Sequence, residues 1–497
     1  MGTIRKQSLL STGVILIGFL IGALNVWLFT AHDYFTTDEY GLTRLFGELA
    51  QTLMVIGSLG VAPIMYKFFP YYTDNLEDKE NDLLTWCLVA GTVGFVLLAI
   101  GGVVLKPFIV RSFSERSALF VEYYFWIFPY TFFYLFFTIL ENYSWQLKKT
   151  VFPNFLKETL VRILTTVLIV LKITRVITYE TFILLFSLVY AVTLVCLVIY
   201  IARAGKLHFT FKISRVTRKF SGKIFTLFSL TYGGMVINTV AQTIDSVLIA
   251  GIHGLAFTGI YNLATYLISL SLIPQRALLP ISLPILSKAW KDKNMDEIDR
   301  IYKRSSINLL AGGLLIILNI WLGLSDAILW LKMNPEYLAA MNVVFILGAS
   351  KLIDLGTGVN NLIIGTSIYW RFDFFCGVTL LAISIPTNYF LVKHFGMAGA
   401  AWSSLISFAL YNAIRLYFLW KKFRLFPFTG KTGLILLIAF ASYMISWLLF
   451  RNQTGFMGCF TRCGSFTLLF CAGVYFGKIS PDVHQITEKI RARFRKG

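Results

Sequence analysis

The feature that most constrains this chain is a succession of apolar stretches, each about as long as a membrane is thick, separated by short polar loops. A hydrocarbon core of about 30 Å requires about 20 consecutive apolar residues to cross it as a helix. Hydrophobic residues make up 57% of the 497-residue chain and charged residues only 14%. A soluble domain carries about 25% charged residues. A soluble globular protein, a disordered chain and a disulfide-rich secreted domain are therefore excluded.

Fourteen stretches are predicted to be transmembrane helices. They cover approximately residues 8–30, 42–66, 83–105, 117–140, 154–173, 180–202, 224–251, 258–280, 305–330, 337–363, 373–392, 397–420, 431–450 and 462–478. The expected fold class is an all-α polytopic membrane protein with about 14 transmembrane helices. Two six-helix lobes in a pseudo-two-fold arrangement are expected, with two further helices at the C-terminus.

The basic residues predict the orientation of these helices. The formal net charge is +20, and the 45 Lys and Arg residues concentrate in a few loops on one side of the predicted membrane. Seven fall between Arg203 and Lys223, seven between Arg276 and Arg304, and six between Lys478 and Lys496. The positive-inside rule places these segments and both termini in the cytoplasm. A nucleic-acid partner is not expected, because the chain has no extramembrane module to bind one.

The loops are too short for several kinds of function. The longest hydrophilic runs, near 203–223 and 286–304, cannot hold an ATP-binding or soluble catalytic domain. The five histidines have no metal-ligand spacing, and no serine or cysteine nucleophile has a visible partner. We therefore expect no catalytic residue, no metal and no cofactor, and a transporter or flippase rather than an enzyme. Cys459 and Cys463 share a predicted loop, and whether they pair stays open.

A weak internal repeat supports the division into two lobes. Asp38-Glu39-Tyr40-Gly41-Leu42 is predicted to be a loop between two spans, and Phe257-Thr258-Gly259-Ile260 is its counterpart 218 residues later. Six-plus-six repeats are a common transporter plan. The predicted domains are a first lobe at 1–205, a basic cytoplasmic connector at 206–223, a second lobe at 224–424, the last two helices at 425–480 and a basic cytoplasmic tail at 481–497.

These motifs carry a family resemblance. Asp38-Glu39-Tyr40-Gly41-Leu42 resembles the P-x-E-Y-G-L signature of polysaccharide-biosynthesis membrane proteins, with Thr37 in place of the proline. The segments Gly259-x-Tyr261-x-x-Ala264, Glu336-Tyr337 and Phe395-Gly396-Met397-Ala398-Gly399-Ala400-Ala401 resemble later landmarks of that family. In order and spacing the chain is similar to the Wzx-type O-antigen flippases. That family belongs to the MOP (MATE-like) superfamily, which includes MATE exporters and the lipid II flippase.

The resemblance implies a function in polysaccharide or lipopolysaccharide biosynthesis. A member of this family would move an undecaprenyl-pyrophosphate-linked oligosaccharide across the bacterial inner membrane by alternating access. The oligosaccharide would be an O-antigen or exopolysaccharide repeat unit. Its partners would be that lipid-linked oligosaccharide, the membrane lipids and other polysaccharide-assembly membrane proteins. Two alternatives stay open: a cation-coupled, MATE-like exporter of small molecules, and a membrane-embedded glycosyltransferase or polymerase. The identity of the coupling ion, a proton or sodium, also stays open.

Charged residues inside the spans are costly and are candidates for function by default. Three pairs have a spacing that places both side chains on one helix face: Arg44 with Glu48, Glu158 with Arg162, and Lys351 with Asp354. Each pair could serve structure, line a substrate cavity, or do both.

The seventh and eighth spans carry a further polar set. Asn238, Gln242 and Asp245 are spaced by four and three residues, which predicts a common face. Asp245 is the candidate for ion coupling, since a membrane carboxylate needs water, a basic partner such as Arg44 or Lys351, or a cation. Asn262 and Arg276 follow. The candidate substrate-binding residues are Arg44, Glu48, Asn238, Gln242, Asn262, Arg276, Lys351 and Asp354, and interhelical hydrogen bonding is the alternative role for the amides.

Overall fold

The computed structural model describes residues 2–479, without the side chains of residues 2–12, 16, 223–231, 277, 280 and 370. The basic tail predicted at 481–497 lies outside the described residues. All regular structure between residues 2 and 479 is helical, as the sequence predicted.

The chain divides into two compact units, the first ending at Gly259 and the second beginning at Ile260. The helices of the first unit are α1 Gly2–Thr30, α2 Thr37–Gly57, α3 Val61–Asn75, α4 Leu83–Phe113, α5 Ala118–Tyr123, α6 Ile127–Gln146, α7 Val151–Phe155, α8 Val161–Ile173, α9 Tyr179–Ser187, α10 Val189–Arg203 and α11 Arg215–Ile252. Helix α12, Leu255–Ser269, continues from the first unit into the second. The remaining helices are α13 Ile273–Lys291, α14 Met295–Trp330, α15 Ala340–Gly356, α16 Asn360–Thr366, α17 Trp370–Phe423, α18 Gly430–Phe450 and α19 Gly455–Phe476.

Eleven helices in the described part of the chain are long and apolar enough to span a membrane, or twelve when the bent pair α2 and α3 is counted as one span. The fourteen predicted spans differ from this number for two reasons. Helix α17 counts once, although it changes direction at Gly396, and the stretch from α7 to α8 is divided by a π-helical turn at Leu156–Leu160. Each predicted span therefore overlaps a helix or a broken helix, and the chain is a multi-pass membrane protein.

The turn inside α17 has a physical cause in its small residues. Gly396 adopts φ 60° and ψ −140°, which is accessible to glycine and strained for other residues. A Cβ placed on Gly399 would overlap the Leu391 carbonyl, and Ala400 and Ala401 are fully buried. The motif Phe395–Ala401 thus joins two antiparallel helical arms with almost no space between their backbones.

The loop predicted at Asp38–Leu42 is wrong, because these residues form the first turns of α2. The Thr36 hydroxyl accepts from the Glu39 amide at 3.1 Å, and the Glu39 carboxylate accepts from the Thr36 amide at 2.9 Å. This reciprocal capping box satisfies two amides that would otherwise lack partners at the helix start. The counterpart segment at Phe257–Ile260 is also helical, within α12.

The boundary between the two compact units differs from the boundary of the predicted lobes, which stay a prediction. In the first unit α11 packs against α2, α3 and α4, although the repeat assigns this helix to the second lobe. In the second unit α14 contacts α15, α18 and α19. Phe466 and Phe470 of α19 and Ile435 of α18 join the core formed with Leu314 and Leu318 of α14.

Candidate functional site

A row of polar contacts joins α2 to α11 inside the first unit, and we call it the α2–α11 seam. Its members on α2 are Arg44, Glu48 and Thr52, and its members on α11 are Thr243, Asp245 and Ser246. The Thr52 and Thr243 hydroxyls lie 2.8 Å apart, and Glu48 forms a side-chain hydrogen bond with Ser246. The seam therefore brings the predicted pair Arg44 and Glu48 together with Asp245.

The seam contains charged side chains of both signs. Arg44 and Asp245 are both close enough to Glu48 to act on its charge, with opposite signs. The Glu48 Oε2 and Arg44 Nε atoms are shielded from solvent and have no hydrogen-bond partner among the described residues. The seam therefore brings two carboxylates and one guanidinium together in a membrane-spanning part of the first unit.

Asn238 and Gln242 lie on the exposed side of α11. The Gln242 amide nitrogen donates to the Asn238 amide oxygen at 2.7 Å. Asp245 is half-buried beside Glu48. The predicted common face is thus divided between an exposed amide pair and the charged seam.

The second unit holds the other predicted residues. The Lys351 ammonium lies 4.5 Å from the centre of the Phe408 ring, and the Asp354 carboxylate accepts from Asn412 at 3.1 Å. Within the described residues these two charges do not form the ion pair that their spacing suggested. Each instead contacts the second arm of α17. Asn262 is fully buried on α12, and Arg276 is exposed on α13.

Asp354 belongs to a buried polar network that sequence analysis missed. The Asn412 side-chain oxygen accepts from the Thr357 hydroxyl and from the Asn360 amide, each at 2.9 Å. The three-residue spacing of Asp354, Thr357 and Asn360 was visible in the sequence as a polar face. Asn412 could not be found that way, because it lies more than 50 residues further along the chain.

Four charges cluster in the first unit between α6 and α8, and we call them the α6–α8 charge cluster. The predicted pair Glu158–Arg162 is confirmed at 3.0 Å. The pair Lys157–Glu141, at 2.8 Å, was not predicted, and Glu141 is 1% exposed. Lys157 and Glu158 both lie in the π-helical turn, which gives side chains directions that regular helical spacing does not predict.

Aromatic and amide side chains surround this cluster. The Tyr66 hydroxyl donates to Asn142 at 2.6 Å, and the Tyr134 and Tyr190 rings stack with their centres 4.3 Å apart. Tyr66 and Tyr134 are both close enough to Glu141 and Lys157 to be affected by their charges. The cluster is therefore a polar region within a span, with balanced positive and negative charge.

Two ion pairs that join residues far apart in the sequence lie within the second unit. Arg415 pairs with Asp373 across the two arms of α17, and its guanidinium lies 3.9 Å from the centre of the Tyr411 ring. Arg462 of α19 pairs with Asp326 of α14, and both side chains are nearly inaccessible. Neither pair was predicted, since partners on different helical segments have no fixed sequence spacing.

Cys459 and Cys463 lie on α19 rather than in a loop, and both are free thiols. They face Gly323 of α14, where an added Cβ would come within 2.8 Å of the Cys463 sulfur. Among the described residues no group of three His, Cys, Asp or Glu side chains could hold a metal ion.

Several solved structures have folds similar to this one. The lipid II flippase MurJ in an inward closed conformation superposes with a TM-score of 0.73 and 14% identity, covering 95% of this chain and 100% of that one. An inward-facing multidrug-resistance MATE transporter superposes with a TM-score of 0.61 and 12% identity, covering 84% of this chain and 98% of that one. A third match is a transporter from Pyrococcus furiosus, described as having a binding pocket of reversed polarity. It superposes with a TM-score of 0.55 and 13% identity, covering 85% of this chain and 96% of that one. The fold is that of MOP-superfamily transporters.

These structural neighbours are transporters and flippases, and their identities of 12–14% show the shared fold alone. No family model matches the chain, and no curated protein matches it. The resemblance to Wzx-type flippases therefore stays a sequence-based prediction.

Proposed function

We propose that this protein is a flippase that moves an undecaprenyl-pyrophosphate-linked oligosaccharide across the bacterial inner membrane by alternating access. The observation that carries the proposal is the extent of the match to the lipid II flippase, over 95% of this chain and all of that one. The match to the MATE transporter covers 84% of this chain. The lipid II flippase therefore matches an additional stretch about as long as two membrane-spanning helices. A lipid-linked precursor is also the substrate class that the sequence motifs suggested independently. No bond-making chemistry is proposed.

The embedded polar residues suit such a cargo. A pyrophosphate needs cationic groups within the hydrocarbon region, which Arg44, Arg276 and Lys351 would supply. A glycan needs amides and carboxylates as hydrogen-bonding partners, and Asn238 and Gln242 are exposed in the first unit. Glu48, Asn262 and Asp354 complete the proposed substrate-binding set. The polyprenyl tail needs no polar partner, because it can stay in lipid throughout.

A cation-coupled exporter of small molecules is the second candidate, since MATE transporters share the fold. An exporter of cationic compounds needs an excess of acidic groups facing its cargo. The α6–α8 charge cluster has two acids and two bases, and Arg44 lies beside Glu48 in the α2–α11 seam. The balanced α6–α8 charge cluster thus gives a cationic cargo no excess of acidic groups to bind.

The proposal is tested by removing the gene from its source organism and analysing lipid-linked oligosaccharides by mass spectrometry. A membrane-impermeant periplasmic probe then reports which leaflet holds them. We expect a complete oligosaccharide on undecaprenyl pyrophosphate to accumulate, confined to the cytoplasmic leaflet, and wild-type protein to restore its access to the probe. A truncated glycan would contradict the proposal in favour of a transferase. An unchanged pool would contradict it in favour of small-molecule export.

Coupling to a proton or sodium gradient is assigned to Asp245 together with Glu48. In vesicles loaded with the lipid accumulated by the deletion strain, we expect Asp245→Asn to abolish the stimulation of flipping by an imposed gradient, because the amide cannot bind or release the ion. A coupling free energy of about 1–3 kcal/mol corresponds to stimulation of about 5–150-fold.

Glu297→Gln is the matched control for this coupling prediction. It makes the same chemical change at the start of α14, where Glu297 pairs with Arg300 at 2.7 Å. Stimulation should be retained in this variant. Equal stimulation in Asp245→Asn and wild-type protein would show that Asp245 does not couple transport to either ion.

A further inference from the structure

The start of α11 carries a basic cavity, which we call the α11 basic pocket. Its lining residues are Ile213, Arg215, Arg218 and Lys219, and its volume is about 310 Å³. All three cations are exposed. The pocket lies wholly within the first unit, on the connector that the distribution of basic residues places in the cytoplasm.

The three cations of the pocket have no carboxylate partner among the described residues. Asp82, the N-cap residue of α4, is an acid that contacts this turn, and its hydrogen-bond donors here are uncharged. Its Oδ2 accepts from the Ser214 amide at 2.9 Å and from the Thr217 hydroxyl at 2.7 Å. Asp82 thus fixes the first turn of α11 to α4 and leaves the positive charge of the pocket unbalanced. The positive end of the α11 dipole adds to the same field.

A row of exposed apolar side chains borders the pocket. Phe209, Phe211 and Ile213 are 57%, 74% and 55% exposed. They alternate with polar residues along the segment that precedes α11. The Thr210 amide donates to the Thr85 hydroxyl at 3.0 Å, which holds this row against α4. The apolar side chains are therefore held in place without being covered.

We propose that the α11 basic pocket binds the phosphate headgroup of an acidic phospholipid of the cytoplasmic leaflet, with Phe209, Phe211 and Ile213 inserted among its acyl chains. Arg215 and Arg218 offer the planar donor groups that match phosphate oxygens, and Lys219 adds a point charge. A soluble phosphate would leave the apolar row in water. A lipid satisfies the charge and the apolar row together. This inference depends on the chain being a membrane protein and not on the identity of its transported cargo.

The test measures lipid binding to the full-length protein in detergent by native mass spectrometry, with phosphatidylglycerol and phosphatidylcholine titrated separately. The triple variant Arg215→Gln, Arg218→Gln and Lys219→Gln is compared with wild-type protein. We expect phosphatidylglycerol binding to weaken by about 10-fold to 100-fold, because each cation near an anionic surface contributes about fivefold. Phosphatidylcholine binding should change by less than about twofold.

The matched control removes three exposed cations from the end of α13 and the turn after it, which have the same predicted cytoplasmic location: Lys288→Gln, Lys291→Gln and Lys293→Gln. This control should keep phosphatidylglycerol binding within about twofold of wild-type. An equal loss in both triple variants would overturn the proposal, because it would show a general effect of positive charge. Unchanged binding in the α11 variant would overturn it as well.

The source of the phosphate is distinguished by two further measurements. Phe209→Ser combined with Phe211→Ser should weaken phosphatidylglycerol binding while all basic residues remain. Inorganic phosphate at millimolar concentration should not displace the bound lipid. Full displacement by inorganic phosphate, or unchanged lipid binding in the double serine variant, would show that the pocket binds a soluble anion instead.

Discussion

Replacing Gly41 by valine is expected to lower the apparent unfolding temperature strongly, because this glycine lies where α2 crosses the start of α12. A Cβ built on Gly41 would overlap the Leu255 carbonyl, and one on Gly259 would come within 2.7 Å of the Thr37 carbonyl. Both obstacles are backbone atoms, so no change of rotamer relieves them. Overpacking of a close contact costs about 1–3 kcal/mol, and a rigid backbone obstacle lies at the upper end of that range or beyond.

Gly47→Val is the matched control in the same helix. A Cβ at Gly47 meets nothing within 4 Å, so valine there should be tolerated. Replacing glycine within a helix even improves helix propensity by a few tenths of a kcal/mol. Scanning fluorimetry in detergent measures both variants. Equal unfolding temperatures for Gly41→Val and Gly47→Val would show that the two helices are not in close contact at Gly41.

Arg462→Leu is expected to have the second large effect, because it leaves the buried Asp326 carboxylate without its charged partner. The Arg462 guanidinium also donates to the Gln453 carbonyl at 3.0 Å. Among the described residues, the other hydrogen bond to the Asp326 carboxylate comes from the Gly455 amide, at 3.2 Å. Breaking a buried ion pair by removing one partner costs about 3–5 kcal/mol. The pair connects α19 to α14, so we expect the docking of the last helix to weaken.

Two further variants separate the ion pair from general damage. Asp326→Asn added to Arg462→Leu should recover part of the lost unfolding temperature, because the buried charge is gone while an acceptor for the Gly455 amide remains. Lys303→Leu breaks the exposed pair with Asp299 on the same α14 and should cost only about 0–1 kcal/mol. A loss for Arg462→Leu as small as that for Lys303→Leu would contradict a stabilising role for the buried pair.

The glycines of the repeat motif show what a sequence pattern can and cannot indicate. The pattern singled out Gly41 and Gly259, and both lie where α2 and α12 approach closely. Their assignment to loops was wrong, because the capping box at Thr36 and Glu39 begins α2 before the motif. The glycines are required for a close crossing of helices. That requirement depends on the Leu255 carbonyl and is invisible in the local sequence.

The charged residues give a similar comparison. Glu158 and Arg162 were predicted as partners because four residues make one helical turn, and the structure confirms them. The same reasoning failed for Lys351 and Asp354, where Phe408 and Asn412 of α17 contact the two charges separately. Spacing specifies which side chains share a face. It does not specify whether a neighbouring helix offers a better partner.

The many membrane crossings of this chain, and their positions along it, follow from its apolar stretches alone. Backbone amides and carbonyls cannot stay unpaired in hydrocarbon, so every apolar stretch of membrane length must become a helix. The contacts of Glu48 with Ser246, Glu141 with Lys157 and Asp326 with Arg462 could be found only from the folded chain. These contacts depend on how each helix is rotated about its axis and where it crosses its neighbours. Packing between residues distant in the sequence sets the rotation and the crossing, and no local spacing encodes them.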